Sequence, residues 1–242
     1  MQGNGFLDPA SLWCQPDKVE EIEKASLRMI VQAIYSYRDA AEHIFRSEDD
    51  LVADIGEDVT REALDRLGMS TIDRRLFGKV DFKRARCVFH SQYAVRQALF
   101  VDSKAEKVDG QRTAALQTSQ ISMQVRQVRA GEEVNIPGKL PPVYSVPGES
   151  FLTTTVFVKY NYEELGASSK ELRSITVAAL PNGMLQDRYN PDTQDGIWLA
   201  GRNAPTLGEE FRVRLSFERL SAKCSWRVQR IPSSPDPFVW AD

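Results

Sequence analysis

Cysteine and histidine are scarce in this chain of 242 residues, which holds three of the first and two of the second. Cys14, Cys87 and Cys224 are an odd, scattered set without a Cys-x-x-Cys pair, which argues against a disulfide framework and favours a reducing, intracellular setting. Cys87 and His90 lie three residues apart, but no second pair completes a zinc site. We therefore expect them to be ordinary neighbours.

Long apolar runs are also missing, and so is a surplus of positive charge. No stretch is long enough to span a membrane, and the first residues, MQGNG, lack the basic-then-apolar pattern of a signal peptide. We therefore expect a cytoplasmic protein. The formal net charge of −3 does not indicate nucleic-acid binding, but it does not exclude it, because an acidic metal site would offset basic clusters elsewhere.

The length predicts a single domain of mixed α/β type covering residues 1–242. After Pro16, apolar residues recur at steps of three and four, which predicts one long helix over about 17–46. The members of this stripe are Leu27, Ile30, Ile34, Tyr37, Ala41 and Ile44. The helix either packs on a sheet, which we favour, or forms a subunit interface.

Further elements follow along the chain. A shorter helix is expected from Glu57 to Gly68, and strands at about 78–89 and 96–103. Residues 112–129 are predicted to be helical, and the proline-rich stretch 131–150 is predicted to be a loop. Two segments rich in β-branched and aromatic residues, 151–162 and 172–180, predict a hairpin.

An acid and a lysine end the apolar strand that begins at Ala98. Side chains alternate along a strand, so Asp102 and Lys104 share one face, and burying such a pair is costly unless both are paired or hold a metal. With Asp81 upstream, the pattern is the minimal one of a metal-dependent nuclease. Asp-x-Lys also occurs at Asp81 and Lys83, and either copy is equally consistent with a solvated strand end.

A basic strand is expected near the end of the chain. In residues 211–217 (FRVRLSF) the apolar and polar positions alternate, so that Arg212 and Arg214 share one face. A guanidinium can donate two hydrogen bonds to a guanine edge in the major groove. Arg202 would add a third basic group from a loop. On the pattern alone, we favour an ordinary amphipathic strand with hydrated arginines.

Several segments together resemble the SfiI-like type II restriction endonucleases of the PD-(D/E)xK nuclease superfamily. They occur in the same order from about residue 25 to 230 and include a distinctive RYNPD string. The segments are 72–84 (IDRRLFGKVDFKR), 99–105 (LFVDSKA), 171–175 (ELRSI), 188–192 (RYNPD), 212–214 (RVR), 217–220 (FERL) and 224–227 (CSWR).

This resemblance implies a restriction-endonuclease-like fold, in which helices flank a mixed central sheet, and Mg²⁺-dependent hydrolysis of double-stranded DNA. It makes Asp81 the first acid, Asp102 the second and Lys104 the lysine. Val80 stands where the family motif nominally has proline, and Lys83 falls outside the matched role. The Ser103 carbonyl is a further candidate metal ligand. Glu57 is another, although it could equally stabilise the start of its helix.

The resemblance also places base reading on Arg202, Arg212 and Arg214, within a recognition region of about 186–217, and implies catalytic strands at about 78–104. It implies a GC-rich interrupted palindrome with GGCC-like half-sites, a homotetramer that engages two DNA copies, and a host methyltransferase in a prokaryotic cytoplasm. Two alternatives remain at this point: a DNA-binding protein without catalysis, and a repair-directed nuclease without base readout.

Overall fold

A mixed β-sheet forms the centre of the molecule in the computed structural model, which describes residues 6–47, 52–68, 85–108, 112–165, 169–200 and 212–242. Its strands run in the order β1-β2-β7-β8-β11, and β6 also pairs with β7. Their bounds are β1 Arg86–His90, β2 Val95–Lys107, β6 Val143–Val146, β7 Glu149–Glu164, β8 Lys170–Leu180 and β11 Val228–Pro232.

The two central strands, β2 and β7, are parallel, whereas β1, β6, β8 and β11 pair with their neighbours antiparallel. From residue 151 to 162, β7 is buried at every position, as expected for a strand covered on both faces. The predicted hairpin is confirmed, because β7 and β8 pair antiparallel from Thr155–Leu180 onward. β2 contains the predicted strand 96–103, but part of the predicted strand 78–89 lies outside the described residues.

Three helices cover one face of this sheet: α1 Pro16–Ser36, α2 Arg38–Ser47 and α3 Val52–Asp65. The single helix predicted over 17–46 is interrupted at Tyr37, where φ is −100° and ψ is 1°. Arg38 turns at this break to donate hydrogen bonds to the carbonyls of Pro232 and Asp236, which sequence periodicity could not show. The apolar stripe packs on the sheet as predicted.

A second, smaller sheet covers the other face. It consists of β3 Thr113–Gln117, β10 Arg212–Ser216 and β9 Trp198–Leu199 in the order β3-β10-β9, and β4 Val125–Arg129 forms a separate ribbon with β5 Glu132–Ile136. The helix predicted over 112–129 is therefore wrong. Ile121, Met123 and Val125 are buried at every second position, which is the period of an extended chain.

Residues 131–150, which were predicted to be a loop, contain β5 and β6. Strand β11 lies near the end of the chain. Two short helices, α4 Gln186–Tyr189 and α5 Phe217–Lys223, complete the chain. One apolar cluster lies between the large sheet and α1–α3, and a second lies between the large and small sheets. None of the helices in the described ranges combines the length and the apolar character needed to cross a membrane.

A buried ion pair ties the beginning of the chain to its end. Arg227 and Glu23 are both 0% exposed, and the Arg227 Nη2 donates to Glu23 Oε2 at 2.7 Å. The guanidinium also lies over the rings of Tyr189 and Trp226, each 4.5 Å from the ring centre. A buried ion pair needs such surroundings, because both charges have left water.

Candidate active site

Three charged residues lie on the face of β2 that looks toward the small sheet: Asp102, Lys104 and Glu106. They share this face because they are spaced two apart along the strand, as the alternation predicts. Their intervening neighbour Ser103 is buried on the opposite face, the side of the helices. The neighbouring strand β7 places Lys159 opposite Lys104 in the register. Four ionisable groups therefore line one short stretch of the interface between the sheets.

The Asp102 carboxylate is 2% exposed and is held by an amide side chain. Its Oδ2 accepts a hydrogen bond from Gln120 Nε2 at 2.7 Å, and Gln120 Oε1 accepts one from the Gln117 N–H at 2.7 Å. Gln120 thus connects the acid to the end of β3. The sequence carries no signal for this residue, because it lies in a segment predicted to be helical.

The Lys104 ammonium also reaches β3, donating to the Ala115 carbonyl at 3.0 Å. Burial lowers the pKa of Lys104 and the nearby Arg212 lowers it further, whereas Glu106 and Glu57 oppose the shift. These influences show that the candidate lysine lies in the field of both an arginine on β10 and an acid on α3. An ammonium has three donors, so at least two remain for water or phosphate.

Lys159 is the group that sequence reasoning missed. Its side chain is 0% exposed, and its Nζ donates to Glu106 Oε2 and to the Thr113 carbonyl, both at 2.5 Å. Burial lowers the pKa of Lys159, the contact with Glu106 opposes this, and Lys104 and Arg214 lower it further. The sequence feature that could have indicated Lys159 is its position as a lone lysine within the apolar strand TTTVFVKYNY at 153–162.

Glu57 is exposed on α3 and is near enough to Lys104 to influence the pKa of its ammonium. The helix begins at Val52, so Glu57 lies in its second turn, and the alternative role of stabilising the helix start is wrong. Gly56 allows the approach, because a Cβ there would lie 3.2 Å from the Ala105 nitrogen and 3.4 Å from the Lys104 carbonyl carbon. Asp81 and Arg202 lie outside the described residues and stay predictions.

The arginine strand forms the middle of the small sheet. On β10, Val213 and Leu215 are buried in the core, while Arg212 is half-buried and Arg214 exposed on the other side. Within the described residues, the buried Arg212 Nε has no hydrogen-bond partner. Such a donor can accommodate an incoming acceptor without first losing another contact.

The RYNPD segment, by contrast, makes contacts with other parts of the same chain. Arg188 donates to Asp17 and Glu20 on α1, and Tyr189 donates to Glu20 at 2.5 Å. The buried Asn190 donates to the Arg126 carbonyl and accepts from the Arg126 N–H. This segment therefore fixes the position of the β4 ribbon relative to α1.

A divalent cation would find oxygen donors here. Among the residues that the structure describes, no group of three histidine, cysteine or acidic side chains converges on one point. The donors available are the buried Asp102 carboxylate, the backbone beside it and Glu57 on α3. All are hard oxygen ligands, the type that Mg²⁺ prefers, so their chemistry fits such an ion.

Comparison with solved structures defines the class of this fold. The chain is similar to a structure described as the tetrameric restriction endonuclease SfiI bound to cognate DNA, with a TM-score of 0.80, 34% sequence identity and coverage of 92% of this chain and 87% of that one. It also matches the restriction endonuclease BglI bound to its DNA recognition sequence, with a TM-score of 0.74, 17% identity and coverage of 93% and 94%. The fold is that of a restriction endonuclease.

Sequence comparison then identifies the family. The family described as "Type II restriction enzyme SfiI" matches residues 30–231. The type II restriction enzyme SfiI of Streptomyces fimbriatus is 35% identical over 235 residues, which cover 91% of this chain and 86% of that protein. The chain belongs to the SfiI family of type II restriction enzymes, which confirms the resemblance seen in its sequence. It is a type II site-specific deoxyribonuclease.

Proposed function

We propose that this enzyme hydrolyses phosphodiester bonds in duplex DNA at a GC-rich interrupted palindrome, with Mg²⁺ as its cofactor. The observation that carries the proposal is the position of the buried Asp102 and the partly buried Lys104 on one face of β2, where Lys104 bonds to β3, the strand that pairs with the arginine strand β10. We assign residues 1–242 to a single nuclease domain, with the recognition region at about 186–217.

In this proposal Asp81, Asp102 and the Ser103 carbonyl hold the metal ion, with Glu57 as a further ligand. When bound, Mg²⁺ supplies Lewis-acid stabilisation of charge on the scissile phosphate and acidifies a bound water. Gln120 fixes the orientation of the Asp102 carboxylate by its hydrogen bond. Lys104 donates to the attacking water and stabilises the negative charge that develops in the transition state.

Base reading is assigned to Arg212 and Arg214, together with Arg202. Each guanidinium can donate two hydrogen bonds to O6 and N7 of one guanine, which favours GGCC-like half-sites. The alternation of β10 supports the assignment, because Val213 and Leu215 anchor the strand in the core while the arginines face away from it.

We infer a homotetramer that acts on two DNA sites, supported by the similarity to a relative whose structure is described as tetrameric and bound to cognate DNA. A cytoplasmic enzyme of this kind requires a cognate methyltransferase that protects the DNA of its prokaryotic host.

The test is a Mg²⁺-dependent digest of a fully sequenced DNA with the ends mapped. The wild type should make discrete cuts at one interrupted palindrome, and should cut two-site DNA faster than one-site DNA. Asp81→Asn, Asp102→Asn and Lys104→Met should each lower the cleavage rate by at least about 100-fold, since each removes a group that stabilises the transition state. Specific binding measured with Ca²⁺ should persist.

Lys83→Met is the matched control, because it removes the lysine of the other Asp-x-Lys copy, and it should keep cleavage. Normal cutting by Asp102→Asn or Lys104→Met would refute the site assignment. Fragment retention without cutting would favour the DNA-binding protein without catalysis. A ladder without fixed ends would favour the nuclease without base readout.

A further inference from the structure

The strand β3 has one edge that is satisfied by side chains of the large sheet. Its other edge pairs with β10, where Thr113 lies opposite Ser216 and Ala115 opposite Arg214. Because Thr113 and Ala115 are two residues apart, their carbonyl groups point to the same edge. No strand pairs with this edge in the described part of the chain. An uncovered strand edge exposes donors and acceptors that need partners.

Three links close this edge, and we call them the seam. Lys159 donates to the Thr113 carbonyl, Lys104 donates to the Ala115 carbonyl, and Gln120 connects the Gln117 N–H to Asp102. Two of the links therefore involve the candidate catalytic residues themselves. The sheet that carries the base-reading arginines is attached to the groups that we assign to bond cleavage.

The remaining link is made by Lys159, which is not part of the nuclease motif. Its burial is costly, because an ammonium loses its hydration, and an apolar side chain of similar length would fill the same space. Its contacts explain its presence: Glu106 neutralises the charge at 2.5 Å, and a hydrogen bond to the Thr113 carbonyl holds the end of β3. A buried charge of this kind can specify one arrangement of two elements even where it adds little stability.

We propose that Lys159, held by Glu106, is a positioning residue that fixes the recognition sheet β3-β10-β9 against the catalytic strand β2 and so makes cleavage depend on the bases that the arginines contact. The inference rests on the proposed catalytic and base-reading roles. With Thr113 held at one end, a displacement of Arg214 is carried through Ala115 to Lys104, because the three are joined by strand pairing and one hydrogen bond. Without that hold, only the links through Lys104 and Gln120 attach β3 to the catalytic strand.

The test compares cleavage of the cognate site with cleavage of a site that differs at one base pair. Lys159→Met should lower kcat on the cognate site by about 10- to 100-fold, because the catalytic groups lose their alignment. Binding of cognate DNA in Ca²⁺ should stay within about 3-fold, since the arginines remain. The preference for the cognate over the altered site should fall by about 10-fold.

Two further variants separate positioning from folding. Lys159→Gln keeps an N–H donor for Thr113 and should recover part of the lost preference. Glu106→Gln keeps the lysine but weakens its hold, and should give a smaller change in the same direction. Amide hydrogen exchange at residues 113–117 should become faster in both Lys159 variants, because the strand edge opens.

The matched control is Lys107→Met, which removes an exposed ion pair with Glu164 between the same two strands, at 2.7 Å. It should keep wild-type kcat, preference and exchange. The proposal is overturned if the Lys159 variants cut with wild-type kcat and preference, or if exchange at 113–117 is unchanged. A wild type without site-specific cuts would reject the proposed function, whereas the exchange measurement would still decide whether Lys159 holds β3.

Discussion

Lys159 and Arg227 are two cations with fully buried side chains, and they serve different purposes. Arg227 is held by Glu23 and two aromatic rings within the core. Lys159 bridges two sheets beside the candidate active site. Removing one partner of a buried ion pair is costly because the other charge stays behind, so the cost depends on what the remaining partner can reach. Glu106 is partly exposed and can reach water, whereas Glu23 cannot.

Arg227→Met is therefore expected to destabilise the protein by about 3–5 kcal/mol, because it leaves the buried carboxyl group of Glu23 without its guanidinium partner. The free energy of unfolding, measured by urea denaturation, checks this value. The double variant Arg227→Met with Glu23→Leu should recover much of the loss, because no charge is then left unpaired.

Arg61→Met is the corresponding control at the surface, where Arg61 pairs with Asp58 and both side chains are more than half exposed. It should change the free energy of unfolding by at most about 0.5 kcal/mol. Equal losses for Arg61→Met and Arg227→Met would show that burial does not decide the contribution of these pairs.

His90 predicts a pH dependence of stability. Burial lowers the pKa of His90 below its ordinary value of 6.5, and the hydrogen bond with Gln97 only partly opposes this. The unfolded chain therefore binds a proton at a higher pH than the folded chain does. Stability should fall as the pH drops from about 7 through 6.5 toward the lowered pKa, with a slope of at most about 1.4 kcal/mol per pH unit from this group.

His90→Gln should flatten that part of the stability curve in urea denaturation between pH 7 and 5. His43, the other histidine of the chain, is exposed on α2. His43→Gln should leave the slope of stability against pH unchanged. If His90→Gln and the wild type share one slope, the buried imidazole is not the source of the acid sensitivity.

The approach of α3 to β2 decides where Glu57 lies, and Gly56 controls that approach. A side chain at this position meets the backbone of Lys104 and Ala105 and the ring of Tyr160. Gly56→Leu should push the helix outward, destabilise the protein by about 1–3 kcal/mol and lower the cleavage rate. Urea denaturation and the mapped digest measure the two effects separately.

Glu62→Leu, at an exposed position of the same helix, tests whether any large residue on α3 has this effect. It should change stability by no more than about 0.5 kcal/mol and leave cleavage intact. A Gly56→Leu protein with wild-type stability and activity would show that α3 can yield without disturbing β2.

Elements with a clear period were predictable from the sequence, and those shaped by distant contacts were not. The apolar stripe of α1 and α2 and the β-branched residues of β7 and β8 indicated the right structures. The helix predicted over 112–129 is wrong because Gln117 and Gln120 bond across the seam and Ile121, Met123 and Val125 are buried with a period of two. The break at Tyr37 depends on the hydrogen bond from Arg38 to the carbonyl of Asp236, and no local sequence pattern predicts a contact between such distant residues.

The candidate site was predictable only in part, for the same reason. The period of two placed Asp102 and Lys104 together on β2. Lys159 follows Lys104 by 55 positions and joins the site only because β7 pairs with β2, which the sequence does not reveal. Gln120 joins the site through a short turn. Asp81 and Arg202 keep the roles that the sequence resemblance implies, as predictions.

At the scale of the whole molecule, the large sheet packs against a different layer on each of its two faces. The helices α1–α3 cover one face and the small sheet covers the other, with an apolar cluster on each side. Both faces bury apolar residues, and the face toward the small sheet also carries the charged residues of the candidate site. The groups that we propose for catalysis therefore lie at an interface between two layers.

The ion pair between Glu23 and Arg227 joins residues 204 positions apart, which has a consequence for the order in which the chain becomes functional. During synthesis from the N-terminus, α1 is made long before the guanidinium that neutralises its buried glutamate. A chain interrupted before residue 227 also lacks β11, the edge strand of the large sheet. A translation product that ends before residue 227 therefore lacks both the guanidinium that pairs with Glu23 and one edge of the large sheet.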